Sequence, residues 1–343
     1  MQDDGKYVHR FSAKPSGGLC AVLPILFLGG ISLSETILRQ TIIMLMLILV
    51  GVLCSKTKII SKEANKGLSN FLMQIINPVV IFMSYQTDYR PELVKNLLLT
   101  FLLSGVAFAV YIASCYIFVR RKEGRDTEIE RFSSVYSNCG FMGIPLVSAL
   151  FGDEGVFYLA AFITMFNLIA WTQGMIMLTG EKDLKKAAKV FYSPTVISIF
   201  LGLITFFLHI RLPEIPTAAM DLLKGVNTPI AMIVSGVTMA DTDILALLKK
   251  KRVYYVCFLK LLLFPALLAL ILAAVSGHID EKVLLTVIVA AAAPPAALCT
   301  LQCIRCGKNS LFASEIFTLG TVLSIATLPL IVQLTEFLTK KGN

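Results

Sequence analysis

The sequence predicts an all-α membrane protein of ten transmembrane helices, arranged as two inverted five-helix repeats with broken, crossing helices 4 and 9. Three observations predict it. Apolar residues gather into runs of about 20, the length that spans a bilayer's hydrocarbon core. The loops between the runs alternate between basic and nearly free of basic residues. Four prolines interrupt the runs in matching register.

The runs come first. The 343 residues are 56% hydrophobic and only 15% charged, with a mean hydropathy of +0.78. A soluble domain carries about 25% charged residues. No water reaches the backbone inside a bilayer, so apolar runs of this length must be helical. We read spans at 36–54, 67–85, 96–119, 130–150, 155–178, 193–210, 218–240, 253–276, 283–303 and 309–338. The last is long enough to tilt or to extend beyond the bilayer.

The loops fix the orientation. The first loop carries Lys56, Lys58, Lys62 and Lys66, and the third Arg120, Arg121, Lys122, Arg125 and Arg131. The fifth carries Lys182, Lys185, Lys186 and Lys189, the seventh Lys249, Lys250, Lys251 and Arg252, and the ninth Arg305 and Lys308. The even loops hold just Arg90, Lys95, Arg211 and Lys282. Basic loops stay cytoplasmic, so both termini lie outside and the number of spans is even. The net charge of +9 belongs to this pattern and gives no case for nucleic-acid binding. The expected placement is a plasma membrane.

Residues 1–32 precede the first run. They contain an apolar stretch, 19–33, that is short for a span and interrupted by Pro24 and Gly29-Gly30. Lys6, Arg10 and Lys14 ahead of it also suit a cleaved signal peptide. We read 1–32 as an extension that membrane insertion does not require. The first repeat is then 33–178, a short cytoplasmic linker 179–192, and the second repeat 193–338.

The prolines carry the repeat. Proline within a helix removes a hydrogen bond and clashes with the preceding turn. Pro78 follows Asn77 in span 2, and Pro145 follows Gly143-Ile144 in span 4. Pro229 follows Asn227-Thr228 in span 7, and Pro294-Pro295 lies in span 9. Pro78 and Pro145 are 67 residues apart, and Pro229 and Pro295 are 66 apart. Five helices per half is odd, so the second half is inserted upside down. Prolines also kink membrane helices with no such meaning, but four in register point to helix breaks at Pro78, Pro145, Pro229 and Pro295. Interrupted helices in corresponding positions of inverted repeats mark a secondary transporter's site.

The chemistry follows from the breaks. A half-helix N-terminus leaves N–H groups unpaired and carries partial positive charge, which suits an anion. Gly140 and Gly143 let a ligand approach the main chain, and Asn138 offers donors and acceptors, although it could equally cap its own helix. Asn77, Asn227 and Thr228 sit beside the other breaks, where local capping competes with a cavity role. The candidate substrate-binding set is Asn138, Gly140, Gly143, Pro145, Asn77, Asn227, Thr228, Pro294 and Pro295.

Neither crossover, around Gly143-Pro145 or Pro294-Pro295, contains Asp or Glu, the intramembrane carboxylate that ion-coupled antiporters use. Asp221, Lys224, Lys260 and Glu315 lie elsewhere, each better read as structural. Asp221 and Lys224 are spaced as a local pair, and the long stem of Lys260 suits snorkelling toward the cytoplasm. The eight cysteines sit mostly in apolar runs as small hydrophobes. Cys299, Cys303 and Cys306 have a metal-like spacing without a fourth ligand, so no metal or cofactor is expected. His9, His209 and His278 are scattered, and no Ser/His/Asp set or phosphate loop appears, so the chain is not read as an enzyme. Trp171 and Tyr192 suit interfacial or packing positions.

SNCGFMGIPL followed by LFGDEG, INPVVIF, NTPIAMIVSGVTMA and AAAAPPAAL together resemble the auxin efflux carrier family, over roughly residues 33–338. The resemblance implies a ten-helix fold with crossed, broken helices 4 and 9, a scaffold part and a transport part. It also implies anionic substrates: auxin in plants, and dicarboxylates such as malate or malonate in some bacterial members. Asn138 and Pro145 match the family's substrate-facing asparagine and crossover proline. Ser137 stands where plant carriers have proline, and the long hydrophilic central loop of the long plant carriers is missing, so the chain is similar to a bacterial member.

The expectation is therefore an elevator-like permease for small organic anions. Helices 1, 2, 6 and 7 form its scaffold; helices 3–5 and 8–10 move. Its partners are the organic anion and membrane lipid, with a homodimer as an open assembly state. The alternatives are a sodium- or proton-coupled symporter of bile-acid-transporter-like architecture and a non-transporting membrane sensor. Export down the voltage needs no coupling: about 2.3 kcal/mol per charge per 100 mV sustains a monoanion gradient of roughly 50-fold.

Overall fold

A computed structural model of the chain describes residues 33–180, 192–240, 242, 243, 247 and 249–342. The extension at 1–32 and most of the linker at 179–192 lie outside the described residues. Among the described residues the elements are all helical. They are α1 (Leu33–Lys56), α2 (Lys62–Ser84), α3 (Pro91–Phe118), α4 (Thr127–Val135), α5 (Cys139–Thr179) and α6 (Pro194–Phe207). After these come α7 (Glu214–Met239), α8 (Lys251–Ala273), α9 (Glu281–Ala292), α10 (Ala297–Arg305) and α11 (Ser310–Gly342).

Seven of these helices (α1, α2, α3, α5, α7, α8 and α11) are long and apolar enough to cross a membrane. The sequence led us to expect ten spans, and the difference has identifiable causes. The runs at 130–150 and 283–303 are each divided by a non-helical stretch, giving α4 and the start of α5, and α9 and α10. The second piece of the former continues into the next run across Gly152, whose φ of 60° and ψ of −144° turn the chain inside α5. Glycine adopts that conformation without the steric cost a Cβ would bring. The run at 193–210 forms a helix of 14 residues.

Three prolines share one local solution. A five-residue π turn, Leu72–Ile76, runs directly into Asn77-Pro78. Cys139–Gly143 does the same before Ile144-Pro145, and Leu259–Leu263 before Phe264-Pro265. A proline ring collides with the carbonyl four residues back. Widening the preceding turn relieves the collision without ending the helix. Pro78 and Pro145 therefore sit inside continuous helical runs, contrary to the expectation of breaks there. Pro229 is the third residue of the segment Asn227–Met239, which follows a single-residue interruption of α7 at Val226. Of the four prolines, Pro295 lies in a fully non-helical break.

Two faces pack at backbone distance. A Cβ on Gly236 of α7 would land on the Ile48 carbonyl oxygen of α1, and one on Gly51 of α1 on the Ile233 carbonyl oxygen. Small residues let membrane helices approach this closely, where van der Waals packing drives their association. α1 is otherwise apolar and open: Met46, Leu49 and Leu53 are more than half exposed, as a surface facing hydrocarbon would be.

Candidate functional site

The centre of the molecule is a crossing of two interrupted helices. After α4 the chain is extended at Tyr136 (φ −88°, ψ 121°), and after α9 it is extended at Ala293 and again at Ala296. The two stretches pair antiparallel as a bridge between Ser137 and Pro295. Asn138 N donates to Pro294 O at 2.7 Å, and Ala296 N donates to Tyr136 O at 3.0 Å. These bonds flank the Ser137–Pro295 pair, which is therefore a non-hydrogen-bonded pair. Proline fits there because that position needs no N–H. Helices 4 and 9 of the sequence reading are thus interrupted and touch, although the first interruption is at 136–138 instead of Pro145.

The crossing sorts the helix ends. α5 begins at Cys139, whose turn is closed by Met142 N and Gly143 N donating to Asn138 O. α10 begins at Ala297. Residues from both starts, Cys139, Gly140, Phe141, Ala297 and Leu298, line one cavity of about 440 Å³. The opposite ends, the C-termini of α4 and α9, meet Lys260 instead. Its Nζ donates to Val135 O at 3.2 Å and Ala291 O at 3.1 Å and lies 4.9 Å from the Tyr111 ring centroid. Lys260 is wholly buried, so the snorkelling expected from its long stem does not occur.

The cavity's lining is largely apolar, with three basic side chains and a set of neutral polar ones. Lys62, Lys66 and Arg305 stand exposed at one end of it, and Ser137, Asn138 and Asn77 are buried at the other. No Asp or Glu is among the described lining residues. Ser137 Oγ, Asn138 Nδ2 and Thr300 Oγ1 are buried with no hydrogen-bond partner among the described residues. A buried donor left unpaired costs about 1–3 kcal/mol. Trp171, Phe166 and Ile163 supply an apolar wall.

Of the sequence candidates, Asn77, Asn138 and Gly140 line the cavity. Gly143, Pro145, Asn227, Thr228, Pro294 and Pro295 do not. Asn227 stands behind Asn77, its Nδ2 donating to Asn77 Oδ1 at 2.7 Å, both side chains buried. Pro294 and Pro295 shape the bridge instead of lining the cavity. Lys224 pairs with Asp153, not with Asp221. Glu315 is buried against Lys250 Nζ, at 2.6 and 2.8 Å from its two oxygens. Among the described residues no cluster of three His, Cys, Asp or Glu could hold a metal.

Sequence reasoning passed over Lys62, Lys66 and Arg305 as orientation signals, and Trp171 and Thr300 altogether as lining residues. The spacing of Lys62, Lys66, Ser69, Asn70, Met73 and Asn77 could have shown them. It puts them along one side of a 3.6-residue helix. Away from the cavity, Lys308 in the turn after α10 reaches Glu128 of α4 at 2.9 Å. That hydrogen bond holds its amine above the ordinary lysine range, against the opposing effect of partial burial.

Comparison with known proteins finds membrane transport proteins. The family model described as "Membrane transport protein" matches residues 36–332. A Rhizobium meliloti protein named "Putative malonate transporter" is 25% identical over 241 residues, 66% of this chain and 73% of its own length. An "Uncharacterized transporter" of Methanothermobacter thermautotrophicus is 23% identical over 221 residues, 63% and 70% of the two chains. A further "Uncharacterized transporter", from Methanocaldococcus jannaschii, is 26% identical over 214 residues, 58% and 68% of the two chains.

Proposed function

The chain belongs to the family of membrane transport proteins, and from that premise we propose that it is a permease for small organic anions, carboxylates in particular. The carrying observation is the cavity: it has basic residues at its mouth and no Asp or Glu among its described lining residues. At its floor unpaired amide and hydroxyl groups sit between two helix N-termini. Helix N-termini and neutral donors bind a carboxylate without a buried countercharge. The relative named for malonate supports the same substrate class.

In this reading the carboxylate sits on Ser137, Asn138 and the main chain at Gly140, with Asn77 and Thr300 beside it. Gly143, Pro145, Pro294, Pro295, Asn227 and Thr228 hold that floor in place. The ten spans of the sequence reading are α1, α2, α3, α4 with the start of α5, the rest of α5, α6, α7, α8, α9 with α10, and α11. They form two inverted halves, 33–178 and 193–338, joined by 179–192. The basic end that carries the cavity mouth faces the cytoplasm of a plasma membrane, and the extension at 1–32 is dispensable.

The grouping of polar contacts supports an elevator-like motion. Arg252 grips Glu130 with two bonds of 2.6 Å, Lys308 binds Glu128, and Lys282 binds Glu154 at 2.8 Å, all within α3–α5 and α8–α11 and their connecting turns. Asn77–Asn227, Asn65–Thr238 and Gln86–Thr205 stay within α1, α2, α6 and α7. Two groups that are each stitched internally can slide as bodies.

Counterflow in proteoliposomes with a carboxylate panel, malonate included, tests the reading. Asn138→Ala is expected to lower malonate exchange by about tenfold or more, the effect of one lost hydrogen bond to a charged group, at normal protein levels. Exchange of no carboxylate by the parent protein sinks the function. Undiminished exchange by Asn138→Ala sinks the site.

A further inference from the structure

Lys260 is a buried charge that the carboxylate site leaves unused. It lies in the π turn Leu259–Leu263 of α8, fully enclosed, and is not among the residues that line the cavity. Its two oxygen partners are main-chain carbonyls, Val135 O at 3.2 Å and Ala291 O at 3.1 Å. Val135 is the last residue of α4, and Ala291 is the penultimate residue of α9. Carbonyls in the last turn of a helix have no intrahelical donor and carry the negative end of its dipole. Paired half-helix C-termini of this kind are what carriers with broken helices use to coordinate a coupling cation. Here a covalently attached ammonium bridges both ends. No carboxylate is among its hydrogen-bond or ring partners.

We infer that Lys260 is a tethered cation occupying the position of a coupling metal ion, so that exchange through this carrier needs no alkali cation. The inference rests on the carboxylate-permease reading and decides what that reading leaves open, whether a cation must accompany the anion. A mobile ion has to bind and leave in each cycle. A lysine on α8 travels with the moving helices and keeps the ends of α4 and α9 neutralised throughout. Truncation to alanine leaves two buried carbonyls without a donor and a space the size of the lost propylamine.

The test compares the parent protein with Lys260→Met and Lys260→Ala in two assays. In malonate counterflow, the parent is expected to exchange at the same rate in sodium, potassium and choline buffers. Lys260→Met is expected to fall by at least about tenfold in all three, since each orphaned carbonyl is worth that much. Lys260→Ala is expected to fall likewise and to recover in part with propylammonium or sodium. Parent exchange that rises in sodium over choline overturns the inference, as does unimpaired exchange by Lys260→Met. If the parent exchanges no carboxylate in any buffer, the permease reading fails, and thermal unfolding in detergent still decides the cation site. There Lys260→Ala is expected to melt below the parent and to be raised by propylammonium or sodium, while the parent is indifferent to both. A variant indifferent to both cations overturns the inference.

Discussion

Lys224 of α7 and Asp153 of α5 form an ion pair across the two groups of helices assigned to scaffold and mover. Asp153 lies fifteen residues beyond Asn138, so the pair is on the order of 20 Å from the cavity floor at 1.5 Å per residue. It sits on the side away from the mouth. If the mover slides, this pair must separate, and it then stabilises only the state whose cavity opens at Lys62, Lys66 and Arg305. Its strength is bounded by exposure. The Lys224 side chain is 25% exposed and that of Asp153 is 52% exposed, so the pair belongs with surface ion pairs of about 0.2–1 kcal/mol. That energy shifts a two-state equilibrium by about 1.4- to 5-fold. The assay places a single cysteine at Ser69, a cavity-lining residue of α2, in a background with all eight native cysteines, Cys139 of the cavity included, replaced by serine or alanine. Labelling with an impermeant maleimide from the mouth side reads the open population. Asp153→Lys is expected to lower the labelling rate by at least that factor. The exchange Asp153→Lys with Lys224→Asp is expected to restore it, and 1 M salt to shrink the difference. If the single reversal labels like the parent, or the double exchange fails to restore labelling, the pair is not a latch between states.

Two further outcomes follow from the packing around the crossing. Asn77→Ala and Asn227→Ala are expected to show a coupling energy of about 0.6–1.7 kcal/mol in a double-mutant cycle of unfolding, the range for buried side-chain bonds between membrane helices; additive losses would remove the Asn227–Asn77 bond from the account. A Cβ on Gly320 of α11 would stand 2.5 Å from Cδ of Pro295, so Gly320→Ala must push on the bridge. Malonate exchange is expected to fall several-fold with normal membrane abundance, at a typical overpacking cost of about 1–3 kcal/mol, and unchanged exchange would show that the bridge tolerates displacement.

The apolar runs and the break at Pro294-Pro295 were legible in the sequence because each has a local cause. Hydrocarbon requires the runs, and two successive prolines cannot continue a ladder of N–H donors. The break at Tyr136-Ser137-Asn138 had no such signal. It is held open by bonds to Pro294 and from Ala296, more than 150 residues away, and nothing local forbids a helix there. Pro145 misled for the converse reason. Its cost is local, and so is its remedy, the π turn Cys139–Gly143. The same remedy recurs before Pro78 and Pro265, so a proline in a span marks a widened turn as readily as an interruption. Lys260 was misread because snorkelling depends on which way a helix face points, and that is set by α4 and α9 packing against α8, not by α8's own residues. The lysines of the first loop were read for orientation alone. They serve the cavity as well because α2 carries Lys62, Lys66 and Asn77 along one side.

The charges around the crossing also bear on which anion fits. A helix end carries roughly half an elementary charge. The C-terminal ends of α4 and α9 together present about one negative charge, which the Lys260 ammonium balances. The N-terminal ends of α5 and α10 present about one positive charge to the cavity floor, with no fixed carboxylate in the lining to balance it. That floor therefore matches one carboxylate. A second carboxylate on the same substrate must find its partner elsewhere, and the lining offers Arg305 at the end of α10, eight residues and about 12 Å along the helix from its start. Arg pairs with carboxylates through two parallel bonds. Arg305→Gln is thus expected to weaken exchange of a long-chain dicarboxylate by about tenfold while leaving malonate, too short to reach from floor to mouth, and monocarboxylates nearly unchanged, measured as competition in the same counterflow assay. Equal losses for both classes would mean that Arg305 acts as a general attractor at the mouth. Loss for neither would confine anion recognition to the floor.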